Sequence, residues 1–176
     1  ACKDGASEID MVINIGKALG GDWDYVEAEV KAVCDEAHTH GAKVKVIFEN
    51  DYLTNGGAGL GGDDFKIKLC QLCERAGAEW VKTSTGYGFV KQPDGSYGYK
   101  GATEHDLVLM RANVSAKVQV KAAGGVRDLD GLIKVRDLGG TRCGATATAA
   151  ILDDYRQREA AGSLETAGGK IGGGGY

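Results

Sequence analysis

Lys82 stands in the run Val81-Lys82-Thr83-Ser84-Thr85-Gly86, and Lys121 in Val120-Lys121-Ala122-Ala123-Gly124-Gly125. A lysine on the inward face of a strand must be paired, deprotonated or catalytic, because a desolvated ammonium is expensive. An amine attacks a carbonyl only when neutral, and burial and a nearby second cation both favour the neutral form. Lys121 sits at the matching place in its own run and is the natural second cation. Asp10, in Glu8-Ile9-Asp10-Met11-Val12-Ile13-Asn14, alternates with apolar residues and is also expected inward. A carboxylate there can accept and return protons while a carbinolamine forms and a C–C bond breaks. These three are the minimum set for Schiff-base chemistry. Pattern alone fits lysines at strand ends that simply reach solvent equally well.

A second group of residues could bind an anion. Gly86 follows the Lys82 strand, Gly124-Gly125 follow the Lys121 strand, and Gly144-Ala145-Thr146 lead into a final helical stretch. Bare N–H groups in such turns, and at a helix N-terminus, can hold a phosphate dianion. Each glycine pair alone is a weak signal, but their repetition just after strands is more specific.

The elements that must carry these residues alternate in type. Strands are expected over 8–14, 43–48, 79–84 and 117–122, with a weaker one over 141–145. A helix is expected over 23–38, where Val26, Val30, Val33, Cys34 and Ala37 share a face, and another where Phe65, Leu69, Leu72, Cys73 and Ala76 do. Thr103 and Asp128 are suited to cap the next two helices, and Thr146 to start the last. Repeated strand–helix units without hairpin signals predict a parallel sheet. One strand face carries Ile9, Met11, Ile13, Val44, Val46, Phe48, Val118, Val120 and Ala122; the other carries Asp10, Lys45, Lys82 and Lys121. Charges in mid-sheet are costly when helices cover both faces. In a barrel the second face looks inward and its charges reach the active-site mouth. The fold class is therefore α/β, a parallel (β/α) barrel of TIM type. With five βα units in place of eight it reads as incomplete, the C-terminal five-eighths. Trp80 shares the inward parity of Lys82. The domain is expected over 1–160, with a glycine-rich flexible tail over 161–176.

Composition sets broader bounds. The 176 residues carry a net charge of −4, with no long basic run and no apolar stretch near the ~20 residues of a spanning helix. Neither nucleic acid nor membrane is an expected partner. The opening Ala1-Cys2-Lys3-Asp4-Gly5 does not read as a signal peptide. The five cysteines, Cys70-x-x-Cys73 among them, read as plain buried thiols, which points to a cytoplasmic, reduced protein. His38, His40 and His105 lack the spacing of a metal set.

The runs at 8–14 and 81–86, Gly101-Ala102-Thr103 with Asp106 and Met110, and Val120-Lys121-Ala122-Ala123-Gly124-Gly125-Val126-Arg127 closely resemble deoxyribose-phosphate aldolases, from about residue 2 to residue 158. The resemblance implies reversible cleavage of 2-deoxy-D-ribose 5-phosphate to glyceraldehyde 3-phosphate and acetaldehyde, with no metal or cofactor. It makes Lys82 the Schiff-base lysine, Lys121 the lysine that perturbs it and Asp10 the proton relay. It assigns phosphate contacts to Gly86, Gly124, Gly125, Gly144 and Thr146, and matches Lys45 to an additional lysine near the site. The expected partners are a phosphorylated sugar, an aldehyde and further copies of the chain.

Three departures stand out. The family's first three βα units have no counterpart. Thr146-Ala147 replaces a frequent pair of serines, and the glycine-rich segment 55–63 lengthens a loop that could cover the mouth. Tyr176 resembles a mobile C-terminal tyrosine that some members place over the site. Were these 176 residues the whole polypeptide, the inward face would be wet, and the chain would be an oligomer or a weak aldolase.

Overall fold

In a computed structural model describing residues 1–164, the elements follow one another as strand and helix. After a 3-10 turn (Cys2–Asp4) come β1 (Glu8–Val12), α1 (Ile15–Leu19), α2 (Trp23–Thr39), β2 (Lys43–Ile47), α3 (Asn50–Leu53), α4 (Gly62–Ala76) and β3 (Trp80–Lys82). A short hairpin, β4 (Val90–Lys91) and β5 (Tyr97–Gly98), precedes α5 (Glu104–Ala112), β6 (Gln119–Ala123), α6 (Leu129–Asp137), β7 (Gly140–Gly144) and α7 (Thr148–Ala160). The main sheet is parallel in the order β1-β2-β3-β6-β7, each strand beside its predecessor in the sheet, the arrangement that short connections favour.

The outer face of the sheet makes the core. Val44, Val46, Phe48, Val81, Val118, Val120 and Ala122 pack against Val26, Val30 and Cys34 of α2, Phe65, Leu69 and Leu72 of α4, and Leu107 and Met110 of α5. The helix ends follow local chemistry. Thr103 and Asp128 accept from the N–H groups of Asp106 and Gly131, as expected of N-caps. The last helix begins at Thr148, two residues later than expected, and the Thr148 hydroxyl bonds the Ala145 carbonyl. The hairpin was not expected. Its turn, Pro93-Asp94-Gly95-Ser96, is closed by Asp94, which accepts from the Ser96 N–H and hydroxyl.

One ion pair between helices is buried. Lys66 of α4 and Asp106 of α5 meet at 2.6 Å, each side chain only 7% exposed. Asp106→Ala would leave the Lys66 ammonium buried and alone. It should cost about 3–5 kcal/mol of unfolding free energy, measured by denaturant titration; a loss under ~1 kcal/mol would show that Lys66 finds another partner.

The sheet curls strongly. In a flat sheet β1 and β7 would lie roughly 19 Å apart, four strand spacings of ~4.8 Å. Yet Glu8 of β1 and Arg142 of β7 form a bidentate pair at 2.7 and 3.0 Å across the inner face. A bulge helps: Lys121 pairs with Arg142 while Val120 pairs with Gly140, so Thr141 is an extra residue. Thr141 accepts from the Trp80 indole N–H at 3.3 Å, and the Arg142 guanidinium lies 5.0 Å from the Trp80 ring. This curl corrects one expectation. The lysines of the inner face are not wet: the side chains of Lys45, Lys82 and Lys121 are 4%, 11% and 13% exposed.

Candidate active site

Asp10, Lys45, Lys82 and Lys121 converge on the inner face. Lys82 and Lys121 are register partners on β3 and β6, and Asp10 is the partner of Lys45. Lys82 Nζ reaches over β2 to donate to Asp10 at 3.0 Å; Lys121 Nζ donates to the same oxygen at 3.2 Å. Lys45 Nζ bonds the other oxygen at 3.3 Å and also pairs with Glu8 at 2.9 Å. One carboxylate thus faces three ammonium groups. Partial burial pushes the Asp10 carboxyl up, but the bond and charge of Lys82, with those of Lys121, outweigh it and hold the carboxyl at about 2. At neutral pH Asp10 is a carboxylate. Burial, and then the Lys82 charge, push the Lys121 ammonium below its usual range, with Asp10 opposing.

The strand ends are stitched together beside the lysines. Thr83 donates to the Ala123 carbonyl and accepts from the Ala123 N–H, both at 3.0 Å, which ties β3 to β6 just above Lys82 and Lys121. Ser84 accepts from Gly86 N–H at 2.9 Å and closes the turn. Gly86 and Gly124 take φ of 84° and 88°, in the left-handed region where a side chain would be strained.

Above the lysines opens a cavity of about 460 Å³. Lys82 lies in its wall with Gly86, Gly124, Gly125, Gly144 and Thr146, so these expected site residues share one space. Thr85, Tyr99 and Arg127 also line it and were not singled out, although Arg127 stands only two residues past Gly125. Glu8 and Arg142 were missed as well; Glu8 has the parity of Asp10, which could have placed it on this face. Asp10, Lys45 and Lys121 lie beside Lys82 but do not line the cavity. The 55–63 segment turns toward α1 instead: a Cβ on Gly57 would strike Leu19, and one on Gly21 would strike Ala58. Tyr176, and the tail from residue 165 on, lie outside the described residues.

The histidines stand apart, paired with carboxylates: His38 with Glu79, His40 with Glu36, His105 with Asp63. Cys34, Cys70 and Cys73 are buried free thiols, and burial pushes Cys70 up to about 12. Among the described residues no group of three or more His, Cys, Asp or Glu lies close enough to hold a metal, and no helix is long and apolar enough to cross a membrane.

Two ammoniums sharing one carboxylate repel each other. Lys121→Leu should therefore move reductive trapping of an aldehyde at Lys82 to higher pH. Trapping yield against pH, in both proteins, reads this directly. An unchanged midpoint would mean that Lys121 does not act on the reacting amine.

A curled parallel sheet with a lysine pair at its strand ends is the architecture of a (β/α)-barrel lysine enzyme. This chain belongs to the DeoC/LacD family of aldolases, whose family model matches residues 1–150. It is 46% identical over 173 residues to a deoxyribose-phosphate aldolase of Rhodopirellula baltica, covering 98% of this chain and 64% of that protein. A deoxyribose-phosphate aldolase of Lactococcus lactis is 44% identical over 153 residues, covering 87% of this chain and 60% of its own length. The chain thus spans somewhat under two thirds of these curated relatives. Among solved structures, an aldolase called QR15 matches with a TM-score of 0.75 and 31% identity, covering 93% of this chain and 64% of that one. A tetrameric deoxyribose phosphate aldolase from Aeropyrum pernix matches with a TM-score of 0.68 and 28% identity, covering 88% and 57%.

Proposed function

We propose that this chain carries the reacting face of a class I aldolase that reversibly cleaves 2-deoxy-D-ribose 5-phosphate to D-glyceraldehyde 3-phosphate and acetaldehyde. One observation carries the reading: a shielded Lys82 amine, 3.0 Å from Asp10 and beside Lys121, at the foot of a glycine-ringed cavity. The relatives' shared name supports the choice of substrate.

In this reading Lys82, once neutral, attacks the open-chain aldehyde carbon. Asp10 relays the protons that turn the carbinolamine into an iminium and release water. Asp10 then takes the proton of the C3 hydroxyl as the C2–C3 bond breaks. Its electrons flow into the iminium and leave an enamine on Lys82, while glyceraldehyde 3-phosphate departs. Protonation of the enamine at C2 and hydrolysis of the imine release acetaldehyde and restore the amine. Lys121 disfavours a second ammonium beside it, and Lys45 holds Asp10 from the far side. The turns at Gly86, Gly124-Gly125 and Gly144, with Thr146, bind the phosphate through N–H and hydroxyl groups. No metal or cofactor takes part in these steps.

The same reading makes the protein a cytoplasmic homo-oligomer acting in the breakdown of deoxyribonucleotide sugars. Free thiols and the tetrameric relative support it. The test is a panel of phosphorylated sugars offered to the chain, with acetaldehyde release as readout. Release from 2-deoxyribose 5-phosphate is expected to be fastest; faster cleavage of another sugar would replace the substrate while leaving Lys82 as nucleophile.

A further inference from the structure

Two buried carboxylates outside the lysine cluster have no ion-pair partner among the described residues: Glu49 and Asp51. Glu49 is the N-cap of α3, just past β2, and Asp51 lies in that single helical turn. Glu49 has a φ of 58°, a left-handed conformation rare for a residue with a side chain and one that persists where surroundings demand it. Its carboxylate accepts from the Thr85 N–H at 3.1 Å and the Thr85 hydroxyl at 2.6 Å. The Thr85 hydroxyl accepts in turn from the Tyr87 N–H at 3.0 Å. Gly88 packs so tightly here that a Cβ would fall 2.5 Å from the Glu49 carboxyl carbon.

Asp51 grips a different loop. It accepts from the Lys100 N–H at 2.5 Å and the Gly101 N–H at 2.9 Å, where the hairpin returns toward α5. The next amide, Ala102 N–H, donates to the Gly124 carbonyl at 3.0 Å. Gly101 lies flat on Gly124, since a Cβ there would come within 2.6 Å of that carbonyl oxygen. One turn therefore holds, through charge-assisted bonds to backbone amides, both loops that flank Gly124-Gly125. Thr85, Gly86, Tyr99 and the two glycines all line the cavity above Lys82.

We infer that Glu49 and Asp51 are positioning residues, and that Asp51, through Gly101 and Ala102, sets the Gly124-Gly125 turn for a phosphate group. The inference rests on the aldolase reading for the identity of that phosphate. Hydrogen bonds to charged groups are strong enough that losing one from the support of such a turn can change an equilibrium constant about tenfold. A carboxylate is required because it offers two acceptors to two adjacent N–H groups; an asparagine in its place keeps one.

The experiment compares the full chain with Asp51→Ala and Asp51→Asn in three measurements: KM for 2-deoxyribose 5-phosphate, calorimetric affinity for inorganic phosphate, and the rate of reductive trapping with acetaldehyde, which has no phosphate. Asp51→Ala should raise KM and weaken phosphate affinity by about tenfold, several times more than it slows trapping, with Asp51→Asn between. If the alanine variant does not fold, the asparagine variant decides by the same comparison. Unchanged phosphate affinity, equal losses in phosphate affinity and trapping, or a wild-type chain that binds no phosphate each overturn the inference. A wild-type chain that binds phosphate but leaves 2-deoxyribose 5-phosphate intact would overturn the aldolase reading instead, and the phosphate affinities would still judge Asp51.

Discussion

Lys82→Met should lose at least about 10⁴-fold in the rate of 2-deoxyribose 5-phosphate cleavage while the protein stays folded, because the proposed mechanism then has no nucleophile. Methionine replaces the unbranched stem without the terminal amine, and fills most of the same largely shielded space beside the cavity. It also removes one of three cations crowded around a single carboxylate, and Asp10 retains Lys121 and Lys45. Thermal unfolding should therefore show no loss of stability alongside the loss of rate. The other amines are poorly placed to substitute. Lys121 points into the same ion cluster from β6, and Lys45 is pinned between Glu8 and Asp10. A rate within tenfold of wild type would mean that another amine forms the imine.

Asp10→Asn should lower the rate by about 10²- to 10⁴-fold, the range typical of a lost general acid–base group. Asparagine matches the shape but neither takes up a proton nor balances charge. Lys82 and Lys121 would lose their common partner, whereas Lys45 keeps Glu8. Stability should fall too, with a defined pH dependence. The folded carboxyl is held at about 2, below the ~3.9 of an unfolded aspartate. Its stabilisation is thus fully present above the unfolded value and is lost as pH falls through the folded one. The difference in unfolding free energy between wild type and variant should be flat above about pH 5 and shrink toward pH 2. Its size is limited because the Asp10 side chain is 36% exposed and therefore partly screened by water. Denaturant titrations at pH 7, 5 and 3 check this; a difference that grows as pH falls would contradict the assignment.

What could be read from the chain divides along the range of the physics. Strand parity is local, so the period-2 alternation of Ile9, Met11 and Val44, Val46 placed Asp10, Lys45, Lys82 and Lys121 on one face, and the structure puts them there. Helix caps are local as well, and Thr103 and Asp128 act as read. The hairpin after Gly86 was legible in Pro93-Asp94-Gly95 but went unread, because its strands are two residues each and show no alternation. Thr146 failed as a helix start because Thr148, two positions on, is equally suited to a first turn.

The remaining features depend on distant partners. Glu8 and Arg142 are 134 positions apart, and only the curl of the sheet brings them together. That curl is what shields the lysines with five strands, and no window of sequence carries it. The left-handed backbone of Glu49 is similarly hidden. Glycine advertises such a conformation, while a glutamate held there by Thr85 and its surroundings does not.

The most direct test of the central claim is reductive trapping of the chain with acetaldehyde and borohydride, followed by peptide mapping. One added ethyl group is expected on the peptide that holds Lys82, from acetaldehyde and also from 2-deoxyribose 5-phosphate, whose cleavage leaves the same imine there, with no label in Lys82→Met. Label on Lys121 or Lys45 in the wild type, or label that persists unchanged in Lys82→Met, would contradict the claim.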